Sequence, residues 1–180
     1  IVAKRVGVGG QAPPDNSVIT DLAVHDIDII NYLLGKTPKK VFCLGGEALY
    51  VKRIDFAELL LDYDGSSGFI QVNWITPVKI RNLCITGTKG YVELDYISQQ
   101  LVLYENNHKK EYNNFGEFLI NFGTPNKVEI KVDREEPLKL ELKSFINSVK
   151  NKTEPPVTGV DGLNVLRIAL DAMENLNKIN

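Results

Sequence analysis

The chain has 180 residues, 43% of them hydrophobic and 24% charged, and carries a formal net charge of −2 at pH 7. That length and apolar fraction describe a single globular domain over residues 1–180 and exclude a disordered segment. Lys and Arg are interspersed with acids, so there is no basic patch for nucleic acid, and no apolar run reaches the ~20 residues of a membrane span. The histidines are His25 and His108 and the cysteines Cys43 and Cys84. These exclude a zinc ribbon, a three-histidine metal centre and a disulfide framework, and the cysteine usage points to a reducing, cytoplasmic setting. The sequence begins at Ile1 with no signal-peptide pattern, which reads as a processed chain or a piece of a longer one.

Residues 1–6 read as a strand, followed by a loop with Gly7, Gly9, Gly10, Pro13 and Pro14. A helix is expected over 21–34, with Thr20 as its N-cap and Gly35 as its stop. It is apolar around most of its circumference, the pattern of a buried helix. Strands are expected over 41–44 and 48–51, the latter pair flanking Gly45–Gly46, and over 56–63, 69–75, 83–87, 91–96 and 100–105, mostly joined by tight turns. Residues 106–127 are polar and Asn-rich and read as a long connection, with a strand returning over 128–132. Two helices close the chain. The first, over 136–150, has Pro137 in its opening turn and Leu138, Leu142, Phe145 and Val149 on one face. The second opens on a Thr158–Asp161 capping box and has Leu166, Ala169, Met173 and Leu176 at helical spacing. Neighbouring strands with helices set apart predict an α+β domain: a largely antiparallel, mixed open sheet with helices packed on one face.

Four patterns bear on chemistry. Gly7-x-Gly9-x-x-Ala12 resembles a dinucleotide fingerprint on paper, but Pro13 and Pro14 follow where a helix must begin, so an ordinary loop is expected. On the first helix, Asp21, His25, Asp28 and Tyr32 fall within about 60° of one another at 100° per residue. A carboxylate one turn before an imidazole can orient it and raise its proton affinity, which suits proton transfer; a purely structural Asp–His bond fits the same spacing. The dipeptide His25-Asp26 alone does not make a metal phosphohydrolase, which needs further histidines. Cys43 and Cys84 lie inside apolar strand patterns, where thiols are inert, and Arg5, Lys79 and Arg81 read as surface cations on or beside strands.

The segment Asp21-Leu-Ala-Val-His25-Asp26-Ile-Asp28-Ile-Ile-Asn-Tyr32-Leu-Leu-Gly35 resembles the D-x-x-x-H-x-x-D helix that opens the C-terminal domain of the glucose-fructose oxidoreductase/inositol dehydrogenase/MocA family. The hairpin ending at Trp74, the run Arg81-Asn-Leu-Cys-Ile-Thr-Gly87-Thr-Lys-Gly90, and the closing segments around Glu136-Pro137-Leu138 and Pro156-Val-Thr-Gly-Val-Asp161-Gly162 resemble the same family in order. The resemblance implies NAD(P)-dependent hydride transfer at a sugar or nucleotide-sugar hydroxyl. His25 would be the acid/base, Asp21 its assisting acid, and Arg5 and Asp28 substrate contacts. It implies a substrate-binding and oligomerisation half, with NAD or NADP held by a dinucleotide-binding domain not contained in this sequence, so no cofactor or metal is expected to bind this chain alone. It also implies a homo-oligomer formed through the sheet face. The Arg5-Val-Gly segment is most similar to the branch acting on UDP-N-acetylglucosamine-like substrates. The alternative is a non-catalytic, sheet-mediated oligomerisation module of the same family.

Overall fold

The computed structural model describes residues 1–7, 16–50, 52–112, 118–122 and 124–177. Within these, the chain divides into two compact units, Ile1–Arg81 with Asp133–Asn180, and Asn82–Val132. The dinucleotide-like glycine pattern lies, from residue 8 on, outside the described residues.

The first unit is built on four strands: β1 (Val2–Val6), β2 (Lys40–Gly46), β3 (Phe56–Asp62) and β4 (Ser67–Asn73), in the order β1-β4-β3-β2. β1 runs parallel to β4, while β3 pairs antiparallel with both β4 and β2, so the sheet is mixed. Alternation decides its two faces. Ala3, Ile70, Leu59 and Cys43 form one cross-strand row, and all four are buried. The next row, Val2, Phe69, Leu60 and Phe42, points the opposite way and is exposed throughout.

Helices cover the buried face. A π-helical turn, Ile19–Ala23, leads into α1 (Val24–Leu34), and the amide of Val24 donates back five residues to the carbonyl of Ile19. Thr20 therefore lies inside the helical run and is not its N-cap; its hydroxyl donates to Asn16 Oδ1 at 2.9 Å. Gly35 ends α1 in the left-handed conformation, φ 63°, as its position after the last apolar residue predicts. α1 lies so close to β4 that a Cβ on Gly68 would stand 3.1 Å from Ile30 Cδ1. Only one side of α1 is buried, through Asp26, Ile27 and Ile30, while Tyr32 and Leu33 are exposed. The expectation of a wholly buried helix is thus corrected. Apolar residues around a helix show what it can bury, and here the sheet covers one side.

α3 (Gly159–Asn177) packs on β2 and α1 through Val165, Ile168, Ala169, Ala172 and Leu176, and Asn175 Nδ2 donates to the carbonyl of Val41 at 2.8 Å. Its packed stripe is rotated from the expected one, because Leu166 is exposed. The capping box forms: Thr158 Oγ1 donates to Asp161 Oδ2 at 2.6 Å, and the Asp161 amide donates to Thr158 Oγ1 at 3.2 Å. α2 (Pro137–Asn151) is capped by Glu136, whose carboxylate accepts from the amides of Leu138 and Lys139. Its apolar residues Leu138, Leu142, Phe145 and Val149, expected to form a packed face, are all exposed.

Of the stretch expected as a strand over 48–51, residues 48–50 form a bend instead, and residue 51 lies outside the described residues. The buried carboxylate of Asp55 accepts from the amides of Ala48, Leu49 and Tyr50, replacing sheet partners with a side chain.

The second unit is a four-stranded antiparallel sheet with β5 (Ile80–Gly87), β6 (Gly90–Asp95), β7 (Gln100–Glu105) and β10 (Asn126–Ile130) in the order β10-β7-β6-β5. The expected connection over 106–127 contains a hairpin, β8 (His108–Tyr112) with β9 (Phe118–Phe122). His108 accordingly opens a strand instead of sitting in a loop. Ten strands are found among the described residues where sequence patterning gives nine, and the α+β class with its mixed, mainly antiparallel sheet stands.

One ionic tie joins sheet to helix. Arg5 Nε and Nη2 donate to Asp26 Oδ2 and Oδ1 at 2.9 and 2.8 Å, a bidentate pair in which Asp26 is 1% exposed. Removing one partner of such a pair leaves a buried charge without compensation. Arg5→Met is therefore expected to lower stability by about 3–5 kcal/mol, and Arg5→Met with Asp26→Leu to recover most of it. Urea denaturation followed by circular dichroism measures both, and a single variant as stable as the double would refute the account.

Candidate functional site

The polar stripe predicted on the first helix is present in part. Asp21 sits in the π-helical turn and His25 one turn later at the start of α1, with Asp28 and Tyr32 following on the same side. His25 and Tyr32 are exposed, whereas Asp21 and Asp28 are half-buried. The rotation of α1 is set from below. Asp26 is held under the helix by Arg5, and its neighbour His25, about 100° around the axis, is turned outward.

The electrostatics of His25 favour the neutral base. Loss of hydration among its neighbours, then the positive charge of Arg5, hold the imidazole below its usual value of 6.5, against the opposing pull of Asp26, Asp21 and Asp28. Neutral imidazole can accept a proton from a hydroxyl at pH 7. Asp28 moves in the other direction. Burial, then the charge of Asp161, push its carboxyl above the usual range, while His25 draws it down.

Asp21 is engaged differently from what its spacing suggests. Its Oδ2 accepts a hydrogen bond from the indole Nε1 of Trp74 at 3.0 Å. The two are 53 residues apart in sequence, and helical spacing alone could not pair them. Arg5, the candidate substrate contact, has its Nε and Nη2 committed to Asp26. Asp26 itself, read from sequence only as half of an unpromising His-Asp dipeptide, is the buried anchor of the site. Its signal was available: an acid on the helix's otherwise apolar side needs a buried cation. Arg81, also expected at the surface, donates from Nη1 to the carbonyls of Val6 and Ile80.

Beside the stripe lies a cleft of about 630 Å³, with Asp28, Tyr32 and Lys36 on the α1 side and Val157, Asp161 and Asn164 on the other. It combines an exposed aromatic ring with carboxylates and an amide. Among the described residues there is no group of His, Cys, Asp and Glu that could hold a metal ion. Cys43 is buried with its thiol pushed up to about 11 by burial and then by Glu58, and so is inert at neutral pH. No described helix is long and apolar enough to cross a membrane.

Comparison with known proteins agrees with this architecture. Residues 9–93 match the sequence model of the GFO/IDH/MocA C-terminal domain. No curated protein sequence matches significantly. Among solved structures, UDP-N-acetylglucosamine 3-dehydrogenase GnnA from Acidithiobacillus ferrooxidans superposes with a TM-score of 0.82 at 21% identity, over 98% of this chain and 54% of that one. Aldose-aldose oxidoreductase from Caulobacter crescentus, solved with glycerol, gives 0.71 at 17% identity, over 99% and 53%. Levoglucosan dehydrogenase, solved with NADH and levoglucosan, gives 0.74 at 15% identity, over 99% and 56%. At such identities the likeness is one of fold, and the chain spans about half the length of these structures. Residues 9–93 thus resemble the GFO/IDH/MocA C-terminal domain in sequence, and nearly the whole chain shares the fold of the C-terminal half of these structures.

Proposed function

We propose that this chain is the substrate-binding and acid–base half of an NAD(P)-dependent oxidoreductase acting on a hydroxyl of a sugar or nucleotide sugar. The observation that carries the reading is His25. It is an exposed imidazole held in its neutral form, on the helix whose sequence lies within the family match. In this reading His25 takes the hydroxyl proton, Asp21 tunes it from one turn before, and Asp28 lines the adjoining cleft where hydroxyls of the substrate bind. Arg5 acts on the same imidazole from beneath, its charge favouring the neutral form. The sugar dehydrogenases among the similar folds support this substrate class.

NAD or NADP would take up the hydride when bound, but the described residues do not fit it. A dinucleotide pyrophosphate seats on the free amides of a helix N-terminus. Here Glu136 takes first-turn amides of α2, and at α3 the Thr158 hydroxyl takes the amide of Asp161 while the Asp161 carboxylate takes that of Thr158. A second anion at either would meet like charge. The reading therefore places the cofactor in a dinucleotide-binding domain outside these residues.

A second reading, a sheet-mediated assembly module, is favoured by the exposed apolar row Val2, Phe69, Leu60 and Phe42 across the first unit's sheet. Four apolar side chains in one cross-strand row form a continuous strip suited to burial against another copy. The two readings are compatible if the enzyme is a homo-oligomer.

In the complete enzyme, His25→Gln is expected to lower turnover by roughly 10²–10⁴-fold with cofactor affinity unchanged, measured by steady-state kinetics and calorimetry. Unaltered turnover would remove His25 from the chemistry. Because the folded environment depresses the imidazole, its NMR titration should have a midpoint under 6.5, and the acid limb of kcat/KM should fall in that same range. A midpoint at or above 6.5 contradicts the electrostatic account. For assembly, Leu60→Lys with Phe69→Lys should shift the sedimentation coefficient to that of a monomer while the circular dichroism spectrum is retained. An unchanged oligomer would rule out this face as the interface.

A further inference from the structure

We propose that Trp74 is a positioning residue for the acid–base pair: its indole N–H fixes the Asp21 carboxylate, keeping it from pairing directly with the imidazole of His25. The inference rests on the reading of His25 as the base, and assigns to that base a second layer of control.

The geometry around Trp74 is over-determined. Its indole Nε1 donates to Asp21 Oδ2 at 3.0 Å, and the residue is 3% exposed. Its backbone amide donates to the carbonyl of Asp55 at 3.0 Å. The ring of Tyr50 stands edge-on to the indole, with centroids 6.1 Å apart and an interplanar angle of 88°. Tyr50 is held in turn, because its amide donates to Asp55 Oδ2 at 2.9 Å. Asp55 thus secures both parts: its buried carboxylate, which also gathers the amides of Ala48 and Leu49, holds the turn that carries Tyr50, and its backbone carbonyl holds the strand end that carries the indole. A phenyl ring would fill the same space, but only the indole offers a donor.

The chemical consequence follows from what Asp21 would do without that donor. At one helical turn's separation a free carboxylate can swing onto a protonated imidazole and form an ion pair, which stabilises the charged form. A neutral N–H donor on the same carboxylate competes with that swing. Asp21 then keeps its charge near His25, while the pairing that would hold the proton on the ring is opposed. The other charges around His25 are Asp26 and Asp28 on its own helix and Arg5 on β1, and none of them is bonded to the indole.

The test is a coupling measurement on the chain, with His108→Gln present throughout so that only His25 titrates in the histidine NMR spectrum. Trp74→Phe is expected to raise the His25 midpoint by roughly half a pH unit, the scale of a partly exposed ion pair. Asp21→Asn is expected to lower it, and Trp74→Phe added to Asp21→Asn to change nothing further. An equal shift from Trp74→Phe in both backgrounds, or no shift in either, would overturn the proposal, since a merely structural role does not depend on the charge of Asp21. A second measurement needs no change at Trp74. The chain has one tryptophan, so its indole N–H resonance is unambiguous. That resonance should move with the His25 midpoint and stop doing so in Asp21→Asn; a resonance indifferent to His25 protonation refutes the link. Loss of turnover in His25→Gln with no indole coupling withdraws only the role of Trp74, whereas intact coupling with normal turnover in His25→Gln withdraws only the base.

Discussion

The placement of the candidate site depends on the bidentate pair between Arg5 and Asp26. A helix resting on a sheet can roll about its own axis, because apolar contacts are not directional. A two-point ionic bond is directional. By fixing Asp26 beneath α1 it sets the roll of the whole helix, and it does so from β1, which pairs in parallel with β4. His25 is then turned outward as a matter of helical geometry, and the guanidinium beneath it also lowers its proton affinity. One interaction thus orients the imidazole and favours its basic form.

The strands and caps were readable because their signals are local. The hairpin over Asp64–Gly65, the turn at Thr88–Lys89, the left-handed stop at Gly35 and the Thr158–Asp161 box each lie within a few residues of one another, and each appears in the structure. What was misread has a composition that points to a different backbone. Residues 48–50 have strand composition, but Asp55 takes their amides. Residues 106–127 have loop composition, but 108–112 pair with 118–122 as two antiparallel strands and 126–127 begin β10. The π-helical turn leaves no compositional mark. It replaces the expected cap at Thr20 by continuing the helical run back toward Val18.

The candidate site divides in the same way. Asp21, His25, Asp28 and Tyr32 were legible because they share one helix and its period. The groups that act on them were not, since Arg5 comes from β1, Asp161 from α3 and Trp74 from beyond β4. Helical periodicity also suggested that Asp21 and His25 bond to each other, whereas the carboxylate is met by an indole from another element. A residue pattern on one helix can name candidates for chemistry, but the protonation state they adopt is decided by the elements packed against that helix.

The π-helical turn has a consequence for how such a site can change over time. A π turn carries one residue more than the α turn it replaces. Deleting a single residue from the stretch before Val24 would leave α1, the Arg5–Asp26 pair and the outward-facing imidazole where they are. The rest of the opening turn, Asp21 included, would rotate by about 100° about the helix axis and lose its meeting with Trp74. The opening turn therefore works as a vernier: one-residue length changes there re-index Asp21 against His25 while α1 keeps its register on the sheet.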